Sequence, residues 1–344
     1  MITKERPSVA LQSPQADGAA DRVRRAIAAM AAGRAVVVVD HARAHGSVTF
    51  AASHATPRLV AFAVRHTSGF IRTALTGEAC DRLDLPPMQR GGDGSEPGAY
   101  RVTVDLLGAG TGISAADRAR TIAALASPEL AAAHFCRPGH VVPVQVDAGG
   151  VLRRPWTAEA TVDLARLAGL PAAGAFSELV SEERAVELAG GDELDQFAAE
   201  HGLPLVSIAD LITFRRRNEP QVRRAAVTPI PTEHGMMRVI GYESVHTGAE
   251  YSCVVSGEVE GKYDVPVYVH TEHPSAARDR DLHDAMSGIA AEGQGVVIHA
   301  GSSTSDDETV AVLAELGVRS FRLISRGRGV QEFARPLAPL STRS

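Results

Sequence analysis

Two short stretches of the chain carry residue types at a spacing that suits chemistry on an anion. The first is Gly110-Thr-Gly-Ile-Ser-Ala-Ala-Asp-Arg-Ala-Arg-Thr-Ile122. A Gly-Thr-Gly turn running into Ser114 and an expected helix start gathers backbone N–H groups, hydroxyls and Arg118, an arrangement that holds phosphate or carboxylate. Ser114 with Asp117 also makes an ordinary capping motif, and spacing alone does not choose between the two. The second stretch joins Phe135-Cys-Arg-Pro-Gly-His140 to Glu159. His140 follows a Pro-Gly turn at the start of an expected strand, and Glu159 falls early in the next expected helix. One imidazole and one carboxylate can share a proton or hold a divalent cation. They serve equally as a hydrogen-bonded strand end and a first-turn carboxylate favoured by the helix dipole.

The elements that must position these residues follow from the apolar pattern. At 344 residues the chain is long enough for about two domains. With 44% hydrophobic and 22% charged residues, neither half reads as disordered. Residues 1–20 are rich in Pro, Ser, Gln and Ala and read as a loose tail. A helix is expected next, capped by Asp21, with Val23, Ile27 and Met30 on one face and Gly33 closing it. The run Arg34-Ala-Val-Val-Val-Val-Asp40 fits a strand buried on both faces, as in α/β architecture. Helix and strand signals alternate up to Ser207–Phe214, read as the end of a first domain spanning 21–217. The charged, proline-bearing segment Arg215–Arg224 reads as a solvated linker, set at 218–229. Beyond it, 238–242, 251–255 and 265–269 read as strands, followed by helices near 280–292 and 306–316 and strands at 295–299 and 320–325, in a second domain over 230–344.

Composition excludes several classes. A net charge of −6 argues against a nonspecific nucleic-acid binder. No apolar run approaches the roughly 20 residues of a membrane span, and the N-terminus lacks the apolar core of a secretory signal, so no membrane partner and a cytoplasmic location are expected. Lys4 and Lys262 are the only lysines among 35 basic residues, which reads as codon bias. Cys80, Cys136 and Cys253 are too far apart for a metal knuckle and read as reduced core residues.

The segments TGISAADRARTI (111–122), RPGH (137–140), GGVLRR (149–154), EATVDLARLAGL (159–170), LVSIADLI (205–212) and DRLDLPPM (81–88) occur in the order found in a known family. Residues 20–217 resemble the 3,4-dihydroxy-2-butanone-4-phosphate synthase domain. ITFRRRNEPQVRR resembles the junction of bifunctional riboflavin-biosynthesis proteins, in which this domain is fused to GTP cyclohydrolase II. IPTEHGMMRVIGYES (230–244), VPVYVHTEHP (265–274), IAAEGQGVVIH (289–299) and ELGVRSFRLIS (315–325) resemble fragments of that cyclohydrolase. The implied fold is two α/β domains, the first a layered sandwich. The implied reaction converts ribulose 5-phosphate into 3,4-dihydroxy-2-butanone 4-phosphate and formate with magnesium or manganese. By motif, His140 falls on the family's metal-binding histidine and Glu159 on its second-half glutamate. Thr111, Ser114, Asp117, Arg118 and Arg137 fall in segments that shape the sugar-phosphate pocket. A homodimer is implied as well.

The chain departs from the family at the metal. Where members carry Asp-Asp-Glu-Asp-Arg-Glu-Asn-Glu-Gly-Asp, this chain reads Asp40-His-Ala-Arg-Ala-His-Gly-Ser47, about two residues shorter, with Asp40 the remaining acid and His45 at an acidic position. A hard cation prefers anionic oxygen and rarely takes imidazole in its place, so weak or lost magnesium binding is expected. Arg72 stands at the family's active-site cysteine, as a salt-bridged structural residue or a new anion contact. Thr157-Ala158 replaces a His-Thr, and Gly91–Gly98 lacks the family's Asp-x-His histidine. In the second half, His270-Thr-Glu-His273 and Ala277–His283 replace the zinc cysteines, and Ala300–Ser305 replaces the nucleotide loop. His270 and His273 lie at an expected strand end with side chains that tend to face opposite ways, so no zinc site is expected from them with His283, and no bound zinc is expected in the chain. The sequence thus points to a diverged synthase-like enzyme on ribulose 5-phosphate or a related sugar phosphate, in the riboflavin pathway or recruited to specialised metabolism, with the cyclohydrolase activity lost. The alternative is a catalytically dead relative that binds a phosphate ligand or scaffolds a true family member.

Overall fold

The computed structural model describes residues 14–88, 99–108, 110–184, 186–271, 276–300 and 306–324. The chain divides into two compact units at Arg215/Arg216. Segment 91–98, His273 and the loop 301–305 lie outside the described residues, as do the side chains of 277–281.

The first unit runs α1 (Pro14–Ala31), β1 (Val36–Asp40), β2 (His45–Ala51), α2 (Pro57–His66), β3 (Arg72–Leu75), α3 (Gly77–Arg82) and β4 (Val104–Leu106). It continues through α4 (Ala115–Leu125), β5 (Phe135–Gln145), α5 (Thr157–Leu167), β6 (Ala173–Glu178), α6 (Asp192–Glu200), β7 (Leu205–Ser207) and α7 (Ile208–Asn218). Its mixed seven-stranded sheet has the order β4-β5-β3-β6-β2-β1-β7, with β1/β7 and β3/β5 parallel. Alternate residues leave a strand on opposite faces. Val36 and Val38 join α1 and α5 in one core, whereas Val37 and Val39 pack with Leu194 and Ala198 of α6 in another. Phe50, Leu75 and Val141 face α2 and α4, while Ala74, Val144 and Phe176 face α5. The doubly buried strand expected at 34–40 is therefore β1, and helices cover both sheet faces.

Two expectations change. Helix α1 begins at Pro14, not at Asp21, so the last seven residues of the expected tail are helical. Proline suits the first helical position and alanine favours the helix, so a composition that read as low-complexity also serves a helix start. Asp21 lies inside the helix and accepts from Arg24 Nη1 at 2.8 Å. His140, expected at a strand start, lies within β5, because β5 runs through the Pro-Gly pair.

The second unit carries β8 (Val222–Thr232), β9 (Gly235–Ser244), β10 (Glu250–Ser256), β11 (Val265–Thr271), α8 (Ala276–Ala291), β12 (Gly295–Ala300), α9 (Asp306–Glu315) and β13 (Phe321–Leu323). Its sheet has the order β13-β11-β12-β10-β9-β8. The expected strands and helices of this half are all present. The expected solvated linker is not: residues 222–229 belong to β8, and Arg215 is among the most deeply buried side chains. β8 is an edge strand, mostly exposed and carrying Pro229 and Pro231, which is why it reads as a linker.

Candidate functional site

The register of the first sheet decides which candidate residues meet. Asp40 pairs with His45, Ser47 with Glu178, Phe176 with Arg72, and Arg72 with Val142. Paired residues share a face, so Asp40, His45, Glu178, Arg72, Val142 and, one step either way, His140 and Val144 all point to the side that α5 covers. Val141, between them, faces the opposite core. At the start of α5 this face opens into a cleft of about 160 Å³ lined by Asp40, His45, Arg72, Tyr100, Arg154 and Glu178 among others.

Each carboxylate of the cleft is met by a guanidinium. Asp40 accepts from the Arg43 amide at 3.1 Å and from Arg43 Nη1 at 2.9 Å. Arg72 Nη2 donates to Glu178 Oε1, its Nη1 donates to Tyr100 Oη at 3.0 Å, and its guanidinium lies 4.4 Å over the Phe176 ring. The two alternatives held open for Arg72 thus resolve toward an ion pair with Glu178. Trp156 sits between Arg43 and Arg154, whose guanidinium carbons lie 4.6 and 4.9 Å from its ring. His45 Nδ1 is buried with no hydrogen-bond partner among the described residues.

Glu159 lies in the first turn of α5 and is fully buried. Its Oε1 accepts from the Asp147 amide at 3.0 Å and from Arg154 Nε at 2.5 Å, while Oε2 has no partner among the described residues. Burial raises its pKa, against the opposing pull of the Asp147 amide and Arg154. Glu159 and His140 share no bond; each is held by its own partners.

His140 is held by Asp105, which the sequence reading passed over. Its amide donates to Asp105 Oδ1 at 2.9 Å, and its Nδ1 meets Asp105 Oδ2 at 2.6 Å. A carboxylate only accepts, so Nδ1 carries the proton and Nε2 keeps its lone pair in the neutral ring. The turn before α4 closes over this pair. Gly112 has φ +80°, and a Cβ there would lie 2.0 Å from Asp105 Oδ2 and 2.7 Å from His140 Nδ1. The signal available in sequence was the alternation of Val102, Val104 and Leu106 around one acidic residue, which a strand edge also explains.

The remaining candidates are placed as follows. Ser114 caps α4, its Oγ accepting from the Asp117 amide at 3.0 Å, so the capping motif forms. Asp117 is bonded by Arg120 and Ser114, both of which hold its pKa down. Arg118 is desolvated, which lowers its pKa; its Nη1 reaches the Gly69 carbonyl at only 3.5 Å, and its Nε is buried without a partner among the described residues. Arg137 donates to the Leu83 carbonyl at 2.6 Å, and Thr111 is exposed in the turn. In the second unit, Cys253 is fully buried in β10 and its thiol is pushed up to about 12 by burial, so it is unsuited to ligate a metal as thiolate.

Magnesium takes near-octahedral oxygen ligation. Asp40, Glu178 and Glu159 are each paired with an arginine, while His140, held through Nδ1 by Asp105, keeps Nε2 free to ligate a cation. Among the described residues of this unit, no three carboxylate or imidazole donors converge.

A family profile described as 3,4-dihydroxy-2-butanone 4-phosphate synthase matches residues 24–214, and one described as GTP cyclohydrolase II matches residues 223–311. Proteins described as riboflavin biosynthesis protein RibBA from Mycolicibacterium gilvum and Mycobacterium marinum are 48% identical over 294 residues, covering 81% of this chain and 70% and 69% of theirs. Among solved structures, RibBX, a two-domain 3,4-dihydroxy-2-butanone 4-phosphate synthase from A. baumannii, is 30% identical, with a TM-score of 0.74 over 89% of this chain and 94% of that one. A 3,4-dihydroxy-2-butanone 4-phosphate synthase in complex with two magnesium ions is 39% identical, with a TM-score of 0.51 over 55% of this chain and 94% of that one.

Proposed function

Because the chain belongs to the 3,4-dihydroxy-2-butanone 4-phosphate synthase family, with a GTP cyclohydrolase II-like domain following, we propose that its first domain acts on ribulose 5-phosphate or a close sugar phosphate with an altered site. Synthase-like activity in riboflavin biosynthesis is what its relatives support. The finer reading is enediol chemistry begun by His140.

The observation that carries this reading is the Asp105–His140 pair. Asp105 fixes the tautomer and steadies the imidazolium that forms, leaving Nε2 to take a proton from a carbon next to the ketone. Arg118, whose buried Nε has no partner among the described residues, offers a cation to a phosphate from the neighbouring helix. Arg72 and Glu178 line the cleft as a closed ion pair and so orient substrate hydroxyls more readily than they bind metal. The divalent cation of the family is correspondingly weakened. The second domain is proposed to have lost the cyclohydrolase reaction, in keeping with a buried Cys253 and histidines in place of the family's zinc cysteines. The reading carries with it a homodimer. No helix among the described residues is long and apolar enough to cross a membrane.

The paired carboxylates of the cleft favour one competing reading, a protein that binds the sugar phosphate without turning it over. Incubation with ribulose 5-phosphate and magnesium, with formate as the readout, decides between them. Formate above the His140→Ala background supports catalysis. Binding without formate, lost in both Arg118→Ala and His140→Ala, supports the competing reading, and absence of binding refutes both. Release of formate from GTP would refute the loss assigned to the second domain.

A further inference from the structure

The β8–β9 hairpin ends in a turn that projects Glu233 and His234. Thr232 Oγ1 donates to the Gly235 carbonyl at 2.8 Å and accepts from the His234 amide at 3.2 Å, so the turn is held by its own side chain. Helix α8 brings His283 to the same place from fifty residues further along the chain. His283 Nδ1 lies 3.1 Å from Glu233 Oε1, and His234 Nε2 lies 3.7 Å from the same oxygen. One donor atom from each of the three residues falls within 4.8 Å of the other two, and the imidazole rings stand 5.5 Å apart.

These separations match the edges of a metal polyhedron. Zinc–nitrogen and zinc–oxygen bonds of about 2.0–2.1 Å at tetrahedral angles put neighbouring donors roughly 3.3–3.5 Å apart. The two edges that meet at Glu233 bracket that value, and the third lies within 4.8 Å. Two imidazoles and one carboxylate also form the donor set borderline cations prefer, whereas magnesium and calcium prefer oxygen alone. His283 is over half exposed, with its Nδ1 toward the carboxylate of Glu233 and its ring beside that of His234. Ser287, one helical turn beyond His283, approaches His234 Nε2 at 3.3 Å and marks where a ligand would replace a weak contact.

We propose that Glu233, His234 and His283 form a site for a zinc-like divalent cation in the second domain, with a fourth position open to water. It takes His283 from the stretch that replaces the cyclohydrolases' cysteines, but joins it to Glu233 and His234 of the hairpin turn and not to His270 and His273. A cation here would tie the hairpin turn to α8.

The test uses the full chain stripped with chelator, titrated with zinc by calorimetry and with cobalt(II) by visible absorption. One ion per chain and the intense visible bands of a four-coordinate cobalt centre are expected. His234→Ala and His283→Ala should each weaken binding by more than the roughly 10–100-fold that outer-shell changes cost. Glu233→Gln keeps the shape of the turn and should weaken it as well. Circular dichroism of each variant confirms that the fold is retained. Absence of saturable binding, or binding undiminished in folded His234→Ala and His283→Ala variants, would overturn the assignment.

Discussion

Arg215 offers the sharpest test of how the synthase-like unit is held together. Its Nη1 donates to Asp163 Oδ2 at 2.7 Å and to the Gly149 carbonyl at 3.0 Å, with both side chains almost wholly buried. Asp163 also accepts from the Val151 amide at 2.9 Å. The pair thereby pins residues 149–151, where Gly150 at φ +61° leaves no room for a Cβ: it would lie 2.3 Å from Asp163. Arg154, which ends this loop, then reaches Glu159 and the cleft. Arg215→Met keeps the aliphatic stem but strands a buried carboxylate, which ordinarily costs roughly 3–5 kcal/mol. Arg166, half-exposed and 3.1 Å from Asp163 Oδ1, remains as a partial partner, so a loss of about 3 kcal/mol is expected.

The cost must also depend on pH. Burial raises the Asp163 pKa, while Arg215, the Val151 amide and Arg166 oppose it. Without Arg215 the folded-state value rises further above the unfolded one of about 3.9. A group shifted upward favours the fold while it is protonated and loses that contribution as pH rises. The deficit of Arg215→Met should therefore be small below about pH 4 and widen toward neutrality. Urea denaturation across this range measures it, with Asp163→Leu/Arg215→Met expected to recover most of the loss. A single variant within about 1 kcal/mol of the parent at pH 7, or a deficit independent of pH, would refute the reasoning.

Two further outcomes follow from the site. Gly112→Ala forces a Cβ into the Asp105–His140 pair at positive φ, so it should cost roughly 1–3 kcal/mol in urea denaturation and abolish sugar-phosphate binding in calorimetry. Magnesium should bind at about millimolar strength or weaker, because the cleft carboxylates are already paired with arginines; tight stoichiometric uptake in calorimetry would contradict this.

Local pattern made much of the architecture legible. The valine run of β1, the turn glycines of the second half and the Ser114 cap are each set by residues within a few positions of one another. Errors arose where local composition had two meanings. An alanine-rich start reads as a tail or as a helix, and an exposed edge strand with prolines reads as a linker. In the arginine cluster at 215–217, Arg215 lies buried against Asp163, because charge says nothing of burial until a partner is in place.

Sequence by itself determined the family, the elements it read in the second half and several of the segments that line the site. Tertiary structure alone decided the partners: Asp105 for His140, Arg72 for Glu178, Arg215 for Asp163, separated by 35, 106 and 52 residues. It likewise decided that His283 joins Glu233 and His234. The physical reason is that a charge or an imidazole acts over a few ångströms in space, and such distances are set by strand register and helix packing, which no single stretch of sequence contains.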